Sequence, residues 1–361
     1  MKSMVSIGFC VILLSANILA GEWPENVKIR GDFRYRHEMI DTEASDARNR
    51  HRIRARVGID GKVNEFTNVV VQIATGSDDP VSTNQTLDDG FSTKSIMLDL
   101  AYFKIQPEQI PGLSVTTGKF KNPFFKPGKS ELVWDSDFNP EGGVANFSNK
   151  VDNITVTLIG AGLWIDERSA NSDSWIAAGQ CIVESRTKDN KSSLAAGGGF
   201  YNYANSKGFE PFYDSDEPMG NSMDDNDNYL VEFRILEVFA EVSHHFGDIP
   251  VTLMGDFVTN TWADSLETGW LAGARVGKTR KTGSWDFRYI YRELEKDAVV
   301  GMFTDSDFRG GGTDAKGHEI GGGYQIAKNS KFSVTYFINY IGLAGEEIDF
   351  NRLQVDLQLK F

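Results

Sequence analysis

The chain has 361 residues, a formal net charge of −14, 36 glycines, 24 phenylalanines and 10 prolines. Its acidity, with a pI near 4.9, excludes nucleic acid as a partner, because such binding requires a surplus of cations to displace counterions. With Cys10 and Cys181 as the only cysteines, a disulfide scaffold is excluded as well.

Residues 1–20, MKSMVSIGFCVILLSANILA, place one lysine before an apolar run from Val5 to Leu14 and end on small residues at Ala20. This is the layout of a cleaved secretory signal peptide, with an N-terminal core helix as the alternative. Cys10 has no lipobox before it, so no lipid attachment is expected. The mature region is then a single domain, 21–361. It contains no apolar run near the roughly 20 residues that a spanning helix needs. Strands of a membrane barrel alternate in polarity and escape that criterion.

The first two strands, 27–40 and 48–62, set the theme. Arg48, Arg50, Arg52, Arg54 and Arg56 alternate with Ile53, Ala55, Val57 and Ile59 over much of the second. A helix would scatter these arginines around its cylinder, whereas a strand gathers them on one face. Lys28, Arg30, Arg34 and Arg36 stand likewise against Val27, Ile29, Phe33 and Tyr35 in the first. Further strands follow at 66–75, 93–107, 112–120, 142–149, 152–166, 174–186, 192–204 and 229–246. The last six are 250–261, 268–279, 284–297, 315–327, 331–343 and 347–361, an even total of about sixteen. The parity of 229–246 changes part-way, which predicts a β-bulge near Ile235.

Short turns such as 247–250, 280–283 and 327–330 follow even-numbered strands. Long polar loops, 76–92, 121–141, 205–228 and 298–314, follow odd-numbered ones. The fold class is therefore all-β: a transmembrane antiparallel β-barrel with short periplasmic turns and long external loops. Apolar faces meet lipid, and the arginines line a water-filled interior, since a charge on the lipid face near the midplane costs roughly 2–4 kcal/mol.

Several stretches resemble the bacterial putative porins, a family of outer-membrane channels: FRYRHE (33–38) with RNRHRIRARVGI (48–59), LDLAYFKI (98–105) and GKFKNPFFKPGKSELVWDSDFNPEGGVANF (118–147). The resemblance implies a passive diffusion channel in the outer membrane, a sixteen-stranded barrel, and a homotrimer as one expected assembly. Outer-membrane lipid, lipopolysaccharide and the assembly machinery, which would read the terminal Phe361, are the implied partners. It also makes 121–141 an inward-folded third loop, carrying Glu131, Asp135, Asp137 and Glu141 beside Phe124, Phe125 and Trp134. These carboxylates are expected across a constriction from Arg50, Arg52, Arg54 and Arg56, with Arg34 and Arg36 in the same lining. Fixed charges so placed set ion preference. The alternative is that acids and arginines pair directly and tether the loop. Asp32, Asp99, Arg275, Arg288, Arg292, Arg352 and Asp356 also face inward by parity.

The external loops are acidic, with Asp78, Asp79, Asp88 and Asp89 in one and Asp214, Asp216, Glu217, Asp224, Asp225 and Asp227 in another. They lack the spacing of an EF-hand and read as solvated, with divalent-cation binding as the alternative. GGGF (197–200) and GGGY (321–324) open no helix and read as strand glycines rather than phosphate cradles. His37, His51 and His318 are isolated, and His244 and His245 point to opposite faces. No nucleophile–base constellation is present, so neither an enzyme nor a bound cofactor or metal is expected. Trp164, Trp175, Trp262, Trp270, Trp285, Tyr289 and Tyr291 suit interfacial girdles. The function expected is passive passage of small hydrophilic solutes and ions. Alternatives are an anion channel selective for phosphate or carboxylates, a plugged structural barrel, and a secreted all-β carbohydrate-active or binding protein. The last would carry polar outer faces.

Overall fold

The computed structural model describes residues 26–43 and 45–361, and the expected signal peptide lies outside the described residues. Sixteen strands form the wall. They are β1 (Val27–Thr42), β2 (Ser45–Asn64), β3 (Thr67–Thr75), β4 (Ile96–Ile105), β5 (Leu113–Lys119), β6 (Glu141–Val151), β7 (Ile154–Asp166) and β8 (Ser174–Arg186). The second half comprises β9 (Ser192–Ala204), β10 (Arg234–Phe246), β11 (Ile249–Asn260), β12 (Thr268–Gly277), β13 (Trp285–Leu294), β14 (Ala315–Ala327), β15 (Ser330–Ile341) and β16 (Ile348–Lys360). A two-residue strand, Gln85–Thr86, adds to β2 from the β3–β4 loop.

Each strand pairs antiparallel with its sequence neighbours, and β1 pairs with β16 to close the cylinder. Gly31 and Phe361 complete that seam by exchanging backbone hydrogen bonds of 3.0 Å each. A side chain at Gly31 would meet the Phe361 ring and stand 2.6 Å from the Arg56 carbonyl oxygen, so only glycine fits.

The strand that changes parity is resolved differently from the sequence expectation. β10 begins at Arg234 and keeps an unbroken register against both β9 and β11, with no bulge near Ile235. Residues 229–233 belong to the preceding loop, so the change of parity marks the boundary between loop and strand. GGGF lies inside β9 and GGGY inside β14. A Cβ on Gly197 would lie 2.8 Å from the Phe239 ring.

Outward faces are apolar on all sides: Ile29, Val57, Ile59, Val71, Leu98, Leu158, Val238, Leu253 and Phe287 are exposed. A soluble protein does not present so continuous an apolar surface. Trp164 and Trp175, cross-strand partners, stand near the long-loop rim with Trp262 and Trp270, while Trp285 and Tyr324 stand near the other.

The interior divides into two sectors. Along β6–β13 a large share of the inward residues is also apolar: Val144, Ile159, Leu163, Ile176, Tyr201, Phe239, Met254, Val258 and Leu271 are buried, with Gln180, Glu237 and Asp256 among them. Alternation sends one apolar face to lipid, yet here a second faces inward. Its cover comes from loops L3 (120–140), L5 (205–233) and L7 (295–314), which contribute Phe124, Trp134 and Phe138, then Phe212 and Tyr229, then Val300 and Phe303. Trp134, 1% exposed, stacks on Phe138 at 5.2 Å and meets Tyr201 edge-on at 5.2 Å. Burying each such side chain is worth about 1.5–3 kcal/mol, enough to hold loops inside a barrel.

Val238, 63% exposed on the outer face, tests the orientation. Val238→Arg is expected to lower unfolding stability in lipid vesicles by about 2–4 kcal/mol. Arginine at the loop residue Asp225 is expected to leave it within about 0.5 kcal/mol of wild type. Equal stabilities for the two variants would rule out a lipid-facing β10.

Candidate functional site

The second sector, built from β1, β2 and β16, is polar. Period-two geometry turns Asp32, Arg34, Arg36 and Glu38 of β1 inward, with Arg50, Arg52, Arg54 and Arg56 of β2 and Arg352, Gln354 and Asp356 of β16 beside them. The register sets Arg34 opposite Arg54 and Arg36 opposite Arg52. Like charges directly across a sheet repel, so the arrangement depends on carboxylates from elsewhere.

Five carboxylates meet that need. Glu38, wholly buried, accepts from Arg50 and from Arg352, whose Nε lies at 2.9 Å. Asp32 accepts from Arg54 Nη2 at 3.0 Å and from Arg56 Nε at 2.7 Å. Asp356 takes Arg36 Nε at 2.7 Å. Two more carboxylates descend from loops: Asp137 of L3 lies 3.5 Å from Arg54 and 3.4 Å from Arg56. Asp307 of L7 lies 3.3 Å from Arg36 and 2.9 Å from Arg352. Burial opposes the ionised form of both loop acids, but the adjacent guanidiniums, Arg54 foremost for Asp137 and Arg352 for Asp307, hold them below the usual carboxylate range.

L3 is anchored on the opposite wall. Gln180 accepts from Phe125 N at 2.7 Å and donates to Phe125 O at 3.0 Å. Glu241 accepts from Gly128 N at 2.6 Å, and Arg275 donates to Gly128 O at 2.8 Å. Gly128 has φ 59° and sits where a Cβ would overlap Met254 Sδ. L3 and L7 are joined by Asp135 N to Phe303 O at 2.8 Å, Thr304 Oγ1 to Leu132 O at 2.8 Å and Ser306 N to Asp135 Oδ2 at 2.9 Å.

The residues singled out in the sequence thus separate. Asp137 reaches the arginines, with contacts to Arg54 and Arg56. Glu131 and Asp135 lie in the L3–L7 junction, where their oxygens and those of Asp305 come within 4.8 Å of one another. Asp305 is neutralised by Arg292 Nη2 at 2.8 Å. Glu141, expected in the loop, is instead the first residue of β6, exposed and paired with Lys119 at 3.0 Å. Arg292 and Arg288 are paired with Asp305 and Glu319. His37 and His51, isolated in sequence, are cross-strand neighbours with ring centroids 5.0 Å apart.

Glu38, Asp307 and Asn84 of the β3–β4 loop, whose Oδ1 accepts from Arg34 Nη2, were missed. Glu38 shares the parity of Arg34 and Arg36, which was its signal. Asp307 had one too: the tetrapeptide DSDF occurs at 135–138 and again at 305–308. Both copies fold alike, the first aspartate accepting the backbone N–H of the second, at 2.6 Å in L3 and 2.9 Å in L7. In each copy the second aspartate reaches the arginines and the phenylalanine is buried.

In the junction, burial and then the Asp305 carboxylate push Glu131 up to about 7 from 4.5, with Lys126 and Ser136 opposing. Burial, followed by Glu131 and Asp137, raises Asp135 well above the usual range. The folded state therefore binds more protons than the unfolded one between these limits. The stability it gains is fully present below 4.5 and is lost as pH rises through about 7. The unfolding midpoint is expected to fall across that window, and Glu131→Gln to flatten the fall. A wild-type profile already flat would contradict the shift.

A family model described as putative porin matches residues 38–233 and 229–361. A search of curated proteins gives no match. Among solved structures, Salmonella typhi OmpF in complex with daunomycin is 14% identical, with TM-score 0.58, covering 93% of this chain and 98% of that one. Pseudomonas putida OprB is 8% identical, with TM-score 0.62 and coverage of 94% and 95%. In-vitro folded Vibrio cholerae OmpT, in its trimer form, is 13% identical, with TM-score 0.50 and coverage of 93% and 100%. At these identities the likeness is one of fold.

Proposed function

The chain belongs to the putative porin family, an outer-membrane channel by family and fold, and from that premise we propose that it passes small hydrophilic solutes and ions by passive diffusion. The observation that carries this reading is the segregation of the interior. Apolar loop packing fills the β6–β13 side and leaves the charged β1–β2–β16 wall as the polar route. Arg34, Arg36, Arg50, Arg52, Arg54 and Arg56 line that route. Asp137 and Asp307 pair directly with that wall, 3.4 Å from Arg56 and 2.9 Å from Arg352, so a solute passes beside a network of fixed charges of both signs. Such a wall sorts and orients solutes without bond-breaking chemistry, in keeping with a channel rather than an enzyme.

Export by a signal peptide cleaved after Ala20, recognition of Phe361 by the assembly machinery and association as a homotrimer belong to the same reading. The trimer draws support from the trimer form of the OmpT neighbour. Contact of the acidic external loops with lipopolysaccharide phosphates, bridged by divalent cations, completes it. A second reading, an anion-selective channel for phosphate or carboxylates, is favoured by Arg34 and Arg52. Neither has a carboxylate closer than 4.0 Å among the described residues.

Planar-bilayer recording in a salt gradient tests both. The double variant Arg52→Glu, Arg54→Glu is expected to move the reversal potential toward cation preference. An unmoved potential would remove the arginines from selectivity, and a wild-type protein without conductance would remove the channel itself.

A further inference from the structure

Five arginines of the charged wall, Arg36, Arg50, Arg54, Arg56 and Arg352, have a carboxylate within 3.5 Å or less. Arg34 has none among the described residues. The one nearest to Arg52 is Glu38 at 4.0 Å, and Glu38 is already engaged by Arg50, Arg352 and Gln354. Both side chains are nonetheless withdrawn from water, at 7% exposure for the Arg34 residue and 12% for the Arg52 side chain. In each, the Nε–H is buried without an acceptor. A guanidinium cannot shed its proton to relieve burial, and an uncompensated buried charge is strongly unfavourable.

The two groups lie together. Arg34 and Arg52 are diagonal neighbours on β1 and β2, since Arg34 faces Arg54. Their Nη2 atoms end on one residue of the β3–β4 loop, Arg34 on Asn84 Oδ1 and Arg52 on Asn84 O at 3.2 Å. Asn84 offers dipoles where the rest of the wall offers full negative charge. Two adjacent cationic forks, each with a donor to spare and bridged by a neutral amide, match an anion with several oxygens, because guanidinium binds carboxylate and phosphate through paired N–H groups. A halide would balance charge at one fork alone.

We propose that Arg34, Arg52 and Asn84 form a binding site for one small oxyanion on the interior wall. The inference deepens the anion-channel reading and rests on it in one respect, that the site is reached from the lumen. Equilibrium dialysis of radiolabelled inorganic phosphate against the detergent-solubilised full chain, at fixed ionic strength, tests it. The expected result is saturable uptake of one phosphate per chain. Arg52→Gln and Asn84→Asp, the latter supplying a resident carboxylate, should each weaken it by about tenfold or more. Retention of the barrel in each variant is checked by its altered gel mobility before boiling. Absence of saturable uptake by wild type, or equal uptake by a folded variant, overturns the proposal. Bilayer conductance measured on the same preparation separates the two readings: conductance without phosphate uptake removes the site alone, and uptake without conductance removes the channel alone.

Discussion

Hydrocarbon offers a peptide group no hydrogen-bond partner, and every other feature of this molecule follows from that restriction. A sheet in lipid must have no edge. The sixteen strands meet the condition only because β1 and β16, with Arg36 and Asp356 ion-paired across 320 positions of sequence, complete the ring. Closure explains why an apolar surface that would make a soluble protein aggregate is here the folded exterior. It also explains why Gly31 can carry no side chain at the seam.

Inside, the barrel resembles two different proteins joined along their length. One side is packed like the core of a soluble domain, around Trp134. The other is a sheet of guanidinium and carboxylate groups in which cross-strand arginines would repel without acids delivered by L3 and L7. A buried ion pair gains little over apolar packing of the same volume, whereas losing one partner is costly. The network therefore fixes position more than it adds stability. It tells L3 and L7 where to stop, and the two DSDF copies perform that task twice with the same local turn.

How much of this was legible in the sequence depended on whether a local rule governed it. Strand number and order were legible because lipid on one side imposes strict alternation, as in 48–59 and 347–361. Alternation carries no information about which of two apolar faces meets lipid, so the inward Tyr201, Phe239 and Met254 were invisible. The same ambiguity merged Tyr229–Phe233 with β10. In the charged sector, the arginine run drew attention to itself. Glu38 stood in plain view on the same face, and its role emerges only once Arg50 and Arg352 converge on it. Glu141 was misplaced because its side depends on where β6 begins, and element boundaries are the least determined quantity in a sequence.

The aromatic packing around Trp134 has one further consequence. Side chains on the outer wall stay in lipid throughout, so they contribute no hydration term when the loops settle. The loop aromatics do leave water, and burial of that kind carries a large negative heat capacity and weakens on cooling. The hydrogen-bonded cylinder is not held by that force. Cold thus loosens the contents of the barrel before it loosens the barrel, and the passage through it becomes a function of temperature.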